Sequence, residues 1–73
     1  MDSCLLEIPP DQLISQFIIR INNIWLSEGT DLRITHYNIV CTGSKVICHM
    51  FINTLPSHDE ILKYEAHIIE SSS

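Results

Sequence analysis

The chain has 73 residues and a formal net charge of −5, and only four of its residues are Lys or Arg. These cations are scattered, so no basic patch can displace counterions from phosphates, and we expect neither nucleic acid nor an anionic membrane surface as a partner. Hydrophobic residues make up 45% of the chain, which favours a folded core over disorder. The sequence predicts one small domain over residues 1–73, with a core at 9–70 and a frayed tail at 71–73.

A membrane span and a secretory signal are not expected. The strongly apolar run Phe17-Ile18-Ile19 stops at Arg20, whereas a membrane span needs roughly 20 apolar residues. The start of the chain lacks the basic and long apolar regions of a secretory signal. The cysteines number three, an odd count that is poor support for a disulfide scaffold. We therefore expect a cytoplasmic protein with reduced thiols and no direct membrane insertion.

The first predicted element is an amphipathic helix that follows a short lead-in at residues 1–8. Pro9-Pro10-Asp11 is a helix-start signal, because proline is tolerated in the first turn and an acid there suits the helix dipole. Gly29 suits the left-handed residue after the helix. Trp25 is expected in the core, or alternatively as an aromatic anchor of a dimer interface. The apolar side of the helix is formed by Leu13, Ile14, Phe17, Ile18, Ile21, Ile24 and Trp25.

Residues 32–41 and 45–53 predict a β-hairpin around the turn Gly43-Ser44, because both runs are rich in β-branched and aromatic residues. This register places His36 and His49 on one face of the hairpin. It places Cys41 and Cys48 on the other, where they are expected to pack as small hydrophobes with raised thiol pKa values. The opposed pairs are Cys41 and Val46, Ile39 and Cys48, Asn38 and His49, and His36 and Phe51.

A second helix is predicted to begin after Pro56 and to continue through Ile69. Ser57 and Glu60 have the spacing of a capping box, and Leu55 and Ile61 that of a hydrophobic staple. The predicted order is α-β-β-α, an α+β domain in which two helices pack on a β-hairpin in a ferredoxin-like or metallochaperone-like layout. Because two strands alone are marginal, we expect a homodimer or another protein chain to complete the sheet.

The two strand histidines are candidate ligands of a divalent metal ion. His36 and His49 are diagonal neighbours, about 7–8 Å apart, which is within reach of imidazole arms closing on one ion. Zinc would need further ligands, which His58 and Asp59 could supply. The alternative is that the strand histidines are satisfied by hydrogen bonds and that His58 is a polar residue near the helix cap.

The hairpin histidines also carry a resemblance to a known family. Four segments carry it: Pro9-Pro10-Asp11, the strand Leu32-Arg33-Ile34-Thr35-His36-Tyr37, the second strand around His49, and Leu55-Pro56-Ser57-His58. Together they resemble the cytoplasmic C-terminal domain of cation diffusion facilitator transporters. The resemblance implies a small metallochaperone-like fold that dimerises and binds zinc or a related divalent ion. It also implies that His36, His49 and His58 are the metal ligands.

The sequence therefore predicts a small, non-enzymatic, dimeric domain that binds a divalent cation such as zinc as a regulatory or metallochaperone-like module. No glycine-rich phosphate loop, nucleophile elbow or H-E-x-x-H motif occurs in the sequence, so no enzyme is expected. The alternative prediction is a protein–protein interaction adaptor or assembly subunit without metal. That adaptor would use a sheet face or edge around Arg33, Tyr37, Cys48 and Met50 for strand addition.

Overall fold

The computed structural model describes residues 2–72, without the side chains of residues 40–42, and combines two helices with four strands. The elements in chain order are β1 (Asp2–Ile8), α1 (Ile14–Ser27), β2 (Ile34–Thr42), β3 (Lys45–Ile52), α2 (His58–Leu62) and β4 (His67–Ser72). The strands form one antiparallel sheet in the order β2-β3-β1-β4. The α+β class is confirmed, but the predicted order α-β-β-α is wrong, because a strand is added at each end.

Residues 2–8 of the predicted lead-in form strand β1, which lies in the middle of the sheet between β3 and β4. Its Cys4, Leu6 and Ile8 are buried, and the residues between them are half-buried. This alternation is the period of a strand that has one face in the core. The core therefore begins before residue 9, where the sequence analysis placed its start.

The predicted second helix is much shorter than expected. Helix α2 ends at Leu62, and Glu65 then adopts a positive φ of 63°, which a continuing right-handed helix does not permit. Beyond it, β4 pairs Ser71 with Cys4 and Ser72 with Ser3. The prediction of a frayed tail is thus wrong for Ser71 and Ser72, and its last position lies outside the described residues.

Helix α1 agrees with the predicted amphipathic helix. Its buried residues lie at helical spacing and are Ile14, Phe17, Ile18, Ile21 and Trp25. The helix begins after the Pro-Pro-Asp segment, because a turn from Pro9 to Gln12 precedes it. It ends as predicted before Gly29, whose φ of +74° is a conformation that glycine adopts at little cost.

The hairpin register is confirmed, including the pairs His36 with Phe51 and Asn38 with His49. Gly43 has a positive φ of 61°, as a glycine-first primed turn requires. One detail differs, because the register shifts between Ile34 and His36. This bulge moves Ile34 away from the face of His36 and places it opposite Ile52, where it is buried.

The sheet has two unlike faces. Both helices pack on the face that we call the covered face, and their buried residues join it in one core. The buried strand residues of the covered face are Cys4, Leu6, Ile8, Ile34, Cys48, Met50 and Ile52. The opposite face, which we call the open face, carries Ser3, Leu5, Glu7, His36, Asn38, Lys45, Ile47, His49 and Phe51, all of them half-buried or exposed.

Because the chain itself supplies the third and fourth strands, completing the sheet no longer requires a second copy. Dimerisation stays a prediction, but its original physical reason does not apply. Within residues 2–72, no helix is long and apolar enough to cross a membrane.

Candidate functional site

The centre of the open face is a stack of three rings. The Phe51 ring lies 4.3 Å from the His36 ring, centroid to centroid, with 19° between their planes. The same phenyl ring lies 4.4 Å from the His49 ring at 35°. Stacked and tilted contacts at these separations are favourable for aromatic rings. Phe51 therefore contacts both imidazoles that the sequence analysis proposed as metal ligands.

The strands position this stack through their register. His36 lies directly opposite Phe51 on β2, and His49 precedes Phe51 on the same face of β3. The bulge before His36 is held by Thr35, whose hydroxyl donates to the carbonyl oxygen of Phe51 over 3.2 Å. A cross-strand aromatic pair such as His36 and Phe51 stabilises a sheet by roughly 0.2–1 kcal/mol. The arrangement follows from hairpin pairing alone and needs no bound ligand.

Apolar side chains extend the stack, and polar groups surround it. Leu5 lies opposite His49, and Ile47 lies opposite Glu7. At one border, the ammonium of Lys45 lies 3.8 Å from the carboxylate of Glu7. The open face thus has an apolar and aromatic centre with a polar rim.

The third predicted metal ligand does not join the other two. His58 is the exposed first residue of α2, and α2 packs on the covered side through the buried Ile61. His36 and His49 lie on the open face of the sheet. Among residues 2–72, with the side chains at 40–42 set aside, no group of three or more His, Cys, Asp or Glu residues could hold a metal ion.

The cysteines of the central strands lie on the covered face. Cys4 and Cys48 are free thiols with 1% and 0% exposure. Burial raises the pKa of Cys4 to about 11 and that of Cys48 to about 12, and the neighbouring Cys4 adds to the second shift. Both therefore pack as protonated hydrophobes at neutral pH, as predicted for Cys48. The prediction for the Cys41 side chain lies outside the described part of the structure.

Burial also corrects the predicted adaptor surface. Cys48 and Met50 are each 0% exposed, and Tyr37 is half-buried against the core. The prediction of a docking surface on this face is therefore wrong, because the helices already cover Cys48 and Met50. Strand addition at the sheet edge, where Tyr37 lies on β2, stays a prediction.

A polar network that the sequence analysis missed joins the two helices. One carboxylate oxygen of Glu60 accepts hydrogen bonds from the Trp25 indole at 3.1 Å and from the Tyr64 hydroxyl at 2.6 Å. The other oxygen lies 3.1 Å from the ammonium of Lys63. The Tyr64 hydrogen bond is the main cause that lowers the pKa of Glu60. Desolvation is the main cause that raises the pKa of Tyr64 to about 12.

The predicted cap of α2 is present at Ser57, but the Glu60 side chain does not take part in it. The Ser57 hydroxyl accepts the backbone N–H of Glu60 at 3.1 Å, which is one half of a capping box. The Glu60 side chain turns instead to Trp25 and Tyr64. The spacing of Ser57 and Glu60 could predict only the hydrogen bond within this helical turn, because Trp25 lies on another helix.

Two asparagines hold the segment that enters β2. The Asn22 side chain accepts from the backbone N–H of Ile34 at 2.9 Å and donates to its carbonyl at 3.2 Å. The Asn53 side chain accepts from the N–H of Arg33 at 2.8 Å and donates to the carbonyl of Asp31. Beside Asn22 lies a shallow groove of about 310 Å³ between α1 and the start of β2. These contacts explain how the start of β2 is positioned.

Fold and site together define a small α+β protein with a helix-covered antiparallel sheet whose second face is open. Comparisons with protein-family models, curated proteins and solved structures find no match to this chain. The resemblance to the cation diffusion facilitator domain therefore stays a prediction.

Proposed function

We propose that this chain is a non-enzymatic protein-interaction module that binds another protein chain on its open face. The observation that carries the proposal is the His36–Phe51–His49 stack, which stands at the centre of a sheet face that neither helix covers. An apolar, aromatic centre inside a polar rim is the usual anatomy of a protein interface.

The charge of the face favours a protein over a nucleic acid. Lys45 lies beside the carboxylate of Glu7, and the chain as a whole carries a net charge of −5. Stacking platforms for nucleobases need accessible rings within a positively charged groove. Here the Phe51 ring is already in contact with two imidazoles. A protein surface with apolar side chains at its own centre fits this face better.

The order of the helices and strands supports the same proposal. A β-α-β-β-α-β chain with both helices on one face of the sheet is the ferredoxin-like layout, and we infer that layout here. In this arrangement the face opposite the helices is the extended surface that remains for recognition. The assignment concerns architecture alone, because one layout hosts many functions.

Site-specific photocrosslinking tests the proposal. A benzoyl-phenylalanine is placed at Ile47 on the open face or at Leu26, which is 70% exposed on α1, and crosslinked partners are identified in the source cell. We expect position 47 to crosslink to one defined partner protein. This crosslink should be lost in Phe51→Ser and should be unaffected by a chelator. Equal crosslinking from both positions, or no protein adduct at position 47, contradicts the proposal.

Divalent metal binding is a second candidate function, favoured by the placement of His36 and His49 on one face beside the same ring. With only these two imidazoles together, a zinc ion would need ligands from outside this group, since structural sites take four. Zinc titration followed by calorimetry and thermal melting tests it. We expect saturable binding that disappears in His36→Ala plus His49→Ala and persists in His58→Ala. No binding tighter than about millimolar, with no shift in melting temperature, refutes this candidate.

A further inference from the structure

Strand β2 is an edge of the sheet with one free side. Its residues from His36 to Thr42 pair with β3 without interruption, and no described strand lies on the other side. The pair Thr42–Lys45 closes a two-residue hairpin and is therefore a hydrogen-bonded pair. Hydrogen-bonded and non-hydrogen-bonded pairs alternate along antiparallel strands. The backbone N–H and C=O groups of residues 37, 39 and 41 therefore point to the free side of β2.

This edge lacks the features that usually prevent pairing with another chain. Natural edge strands are protected by proline, lysine, other charged side chains or bulges. The sequence of β2, ITHYNIVCT, contains no Pro, Lys, Arg, Asp or Glu. Its bulge lies at the start of the strand, before His36. Ile39, in the middle of the regular part, is 58% exposed.

The opposite edge of the sheet, strand β4, differs from β2 in length, charge and regularity. Strand β4 has only six residues and contains Glu70. A bulge interrupts its pairing with β1 between the partners Leu5 and Leu6. A short, bulged and charged strand is a protected edge. The two edges of one sheet therefore differ in their capacity for strand addition, and β2 is the open one.

The lack of charged side chains on β2 makes this edge compatible with a second copy of the chain. The protein has a net charge of −5, so two copies repel each other over most of their surfaces. Two β2 strands carry no carboxylate and bring no like charges opposite each other. An antiparallel pair centred on Ile39 is also self-complementary, because Ile39 meets Ile39 and residue 37 meets residue 41. The exposed isoleucine is then removed from water by its own counterpart.

We propose that a second copy of this chain pairs with β2 in antiparallel register centred on Ile39, which joins the two four-stranded sheets into one continuous sheet. The two-fold axis of such a pair is perpendicular to the sheet, so both open faces lie on the same side. The inference does not rest on the proposed function, because it uses the edge of β2 and leaves the ring stack exposed.

Sedimentation equilibrium of the full chain tests the dimer. We expect the wild-type protein to reach twice the mass of one chain. Ile39→Lys should raise the dimer dissociation constant at least about tenfold, because it removes two isoleucines from the contact and places two ammonium groups opposite each other. The matched control is Ile19→Lys on α1, because Ile19 is 59% exposed and Ile39 is 58% exposed. A monomeric wild-type protein at millimolar concentration, or equal behaviour of the two variants, overturns the proposal.

Disulfide trapping tests the register independently of folding stability. In a Cys41→Ser background, Ile39→Cys places two thiols at a hydrogen-bonded pair, where the Cα atoms lie about 5.5 Å apart and can be bridged. We expect diamide to give a covalent dimer with Ile39→Cys and not with Ile69→Cys on β4. Crosslinking through position 69 instead, or none at 39 in a chain that still dimerises, overturns this register.

Discussion

The two faces of the sheet share the same strands and differ in almost every other respect. On β3, Cys48, Met50 and Ile52 are fully buried under the helices, whereas Ile47, His49 and Phe51 remain partly in contact with solvent. The covered face is aliphatic and sulfur-rich, and the open face is aromatic and polar at its borders. The covered face maintains the fold, and the open face is the surface that we propose for binding. Substitutions on the two faces should therefore have separable effects.

The largest effect is expected on the covered face. Met50→Ala removes a side chain that is 0% exposed, and large-to-small changes in a core cost about 2–5 kcal/mol of unfolding free energy. Ile47→Ala, on the same strand and the open face, should cost much less. Urea unfolding followed by circular dichroism measures both. An equal loss for Ile47→Ala would mean that the open face is packed against another chain in solution.

A smaller effect is expected from the Glu60 network, which joins the two helices above the covered face. Glu60→Gln should reduce the unfolding free energy at pH 7 by about 1–3 kcal/mol, because hydrogen bonds to a charged acceptor are the stronger kind. Since the fold lowers the pKa of Glu60, its contribution is present above the ordinary glutamate pKa of about 4.3 and is lost as the pH falls further.

The pH dependence of stability checks this assignment. Between pH 7 and pH 3, the wild-type protein should lose more stability than Glu60→Gln, because the variant no longer has this carboxylate to protonate. Glu70→Gln on the exposed strand β4 is the control and should behave as the wild-type protein does. A wild-type profile that runs parallel to that of Glu60→Gln would contradict the network's role.

The smallest effect is expected at the ring stack. Phe51→Leu retains an apolar side chain and removes two aromatic contacts, so it should cost roughly 0.5–1 kcal/mol of stability. The same change should abolish crosslinking from position 47 if the open face binds a protein. Thermal melting and the photocrosslinking assay together separate the two outcomes. A loss of stability as large as that of Met50→Ala would place Phe51 among the core residues.

The parts of the fold that were predictable are those whose interactions are local in sequence. Helix α1 has its apolar residues at helical spacing, and the hairpin register follows from one turn around Gly43. The Ser57 cap likewise depends on a contact within one helical turn. In each case, the residues that interact are close enough along the chain for their spacing to indicate the structure.

The missed parts depend on distant pairing. Strand β1 is stabilised by β3 and β4, and its pairing of Ser3 with Ser72 joins opposite ends of the described chain. The apolar residues from Ile61 to Ile69 fit a helical period as well as a helix followed by a strand. Only the left-handed Glu65 separates the two, and a glutamate does not predict that conformation.

The candidate site follows the same division. The shared face of His36 and His49 was predictable from the hairpin register, and the contact of both with Phe51 follows from that register too. The separation of His58 was not, because it depends on which face of the sheet α2 covers. A ligand set that draws on more than one layer of a fold requires the tertiary structure.

The buried thiols of Cys4 and Cys48 also make the kinetics of the fold measurable. They lie on the two central strands, are closed to solvent and are protonated at neutral pH. A thiol reagent can therefore modify them only when β1 and β3 become exposed by local or global opening. In a Cys41→Ser chain, the rate at which the reagent labels these two residues would report how often the centre of the sheet opens, without any introduced cysteine.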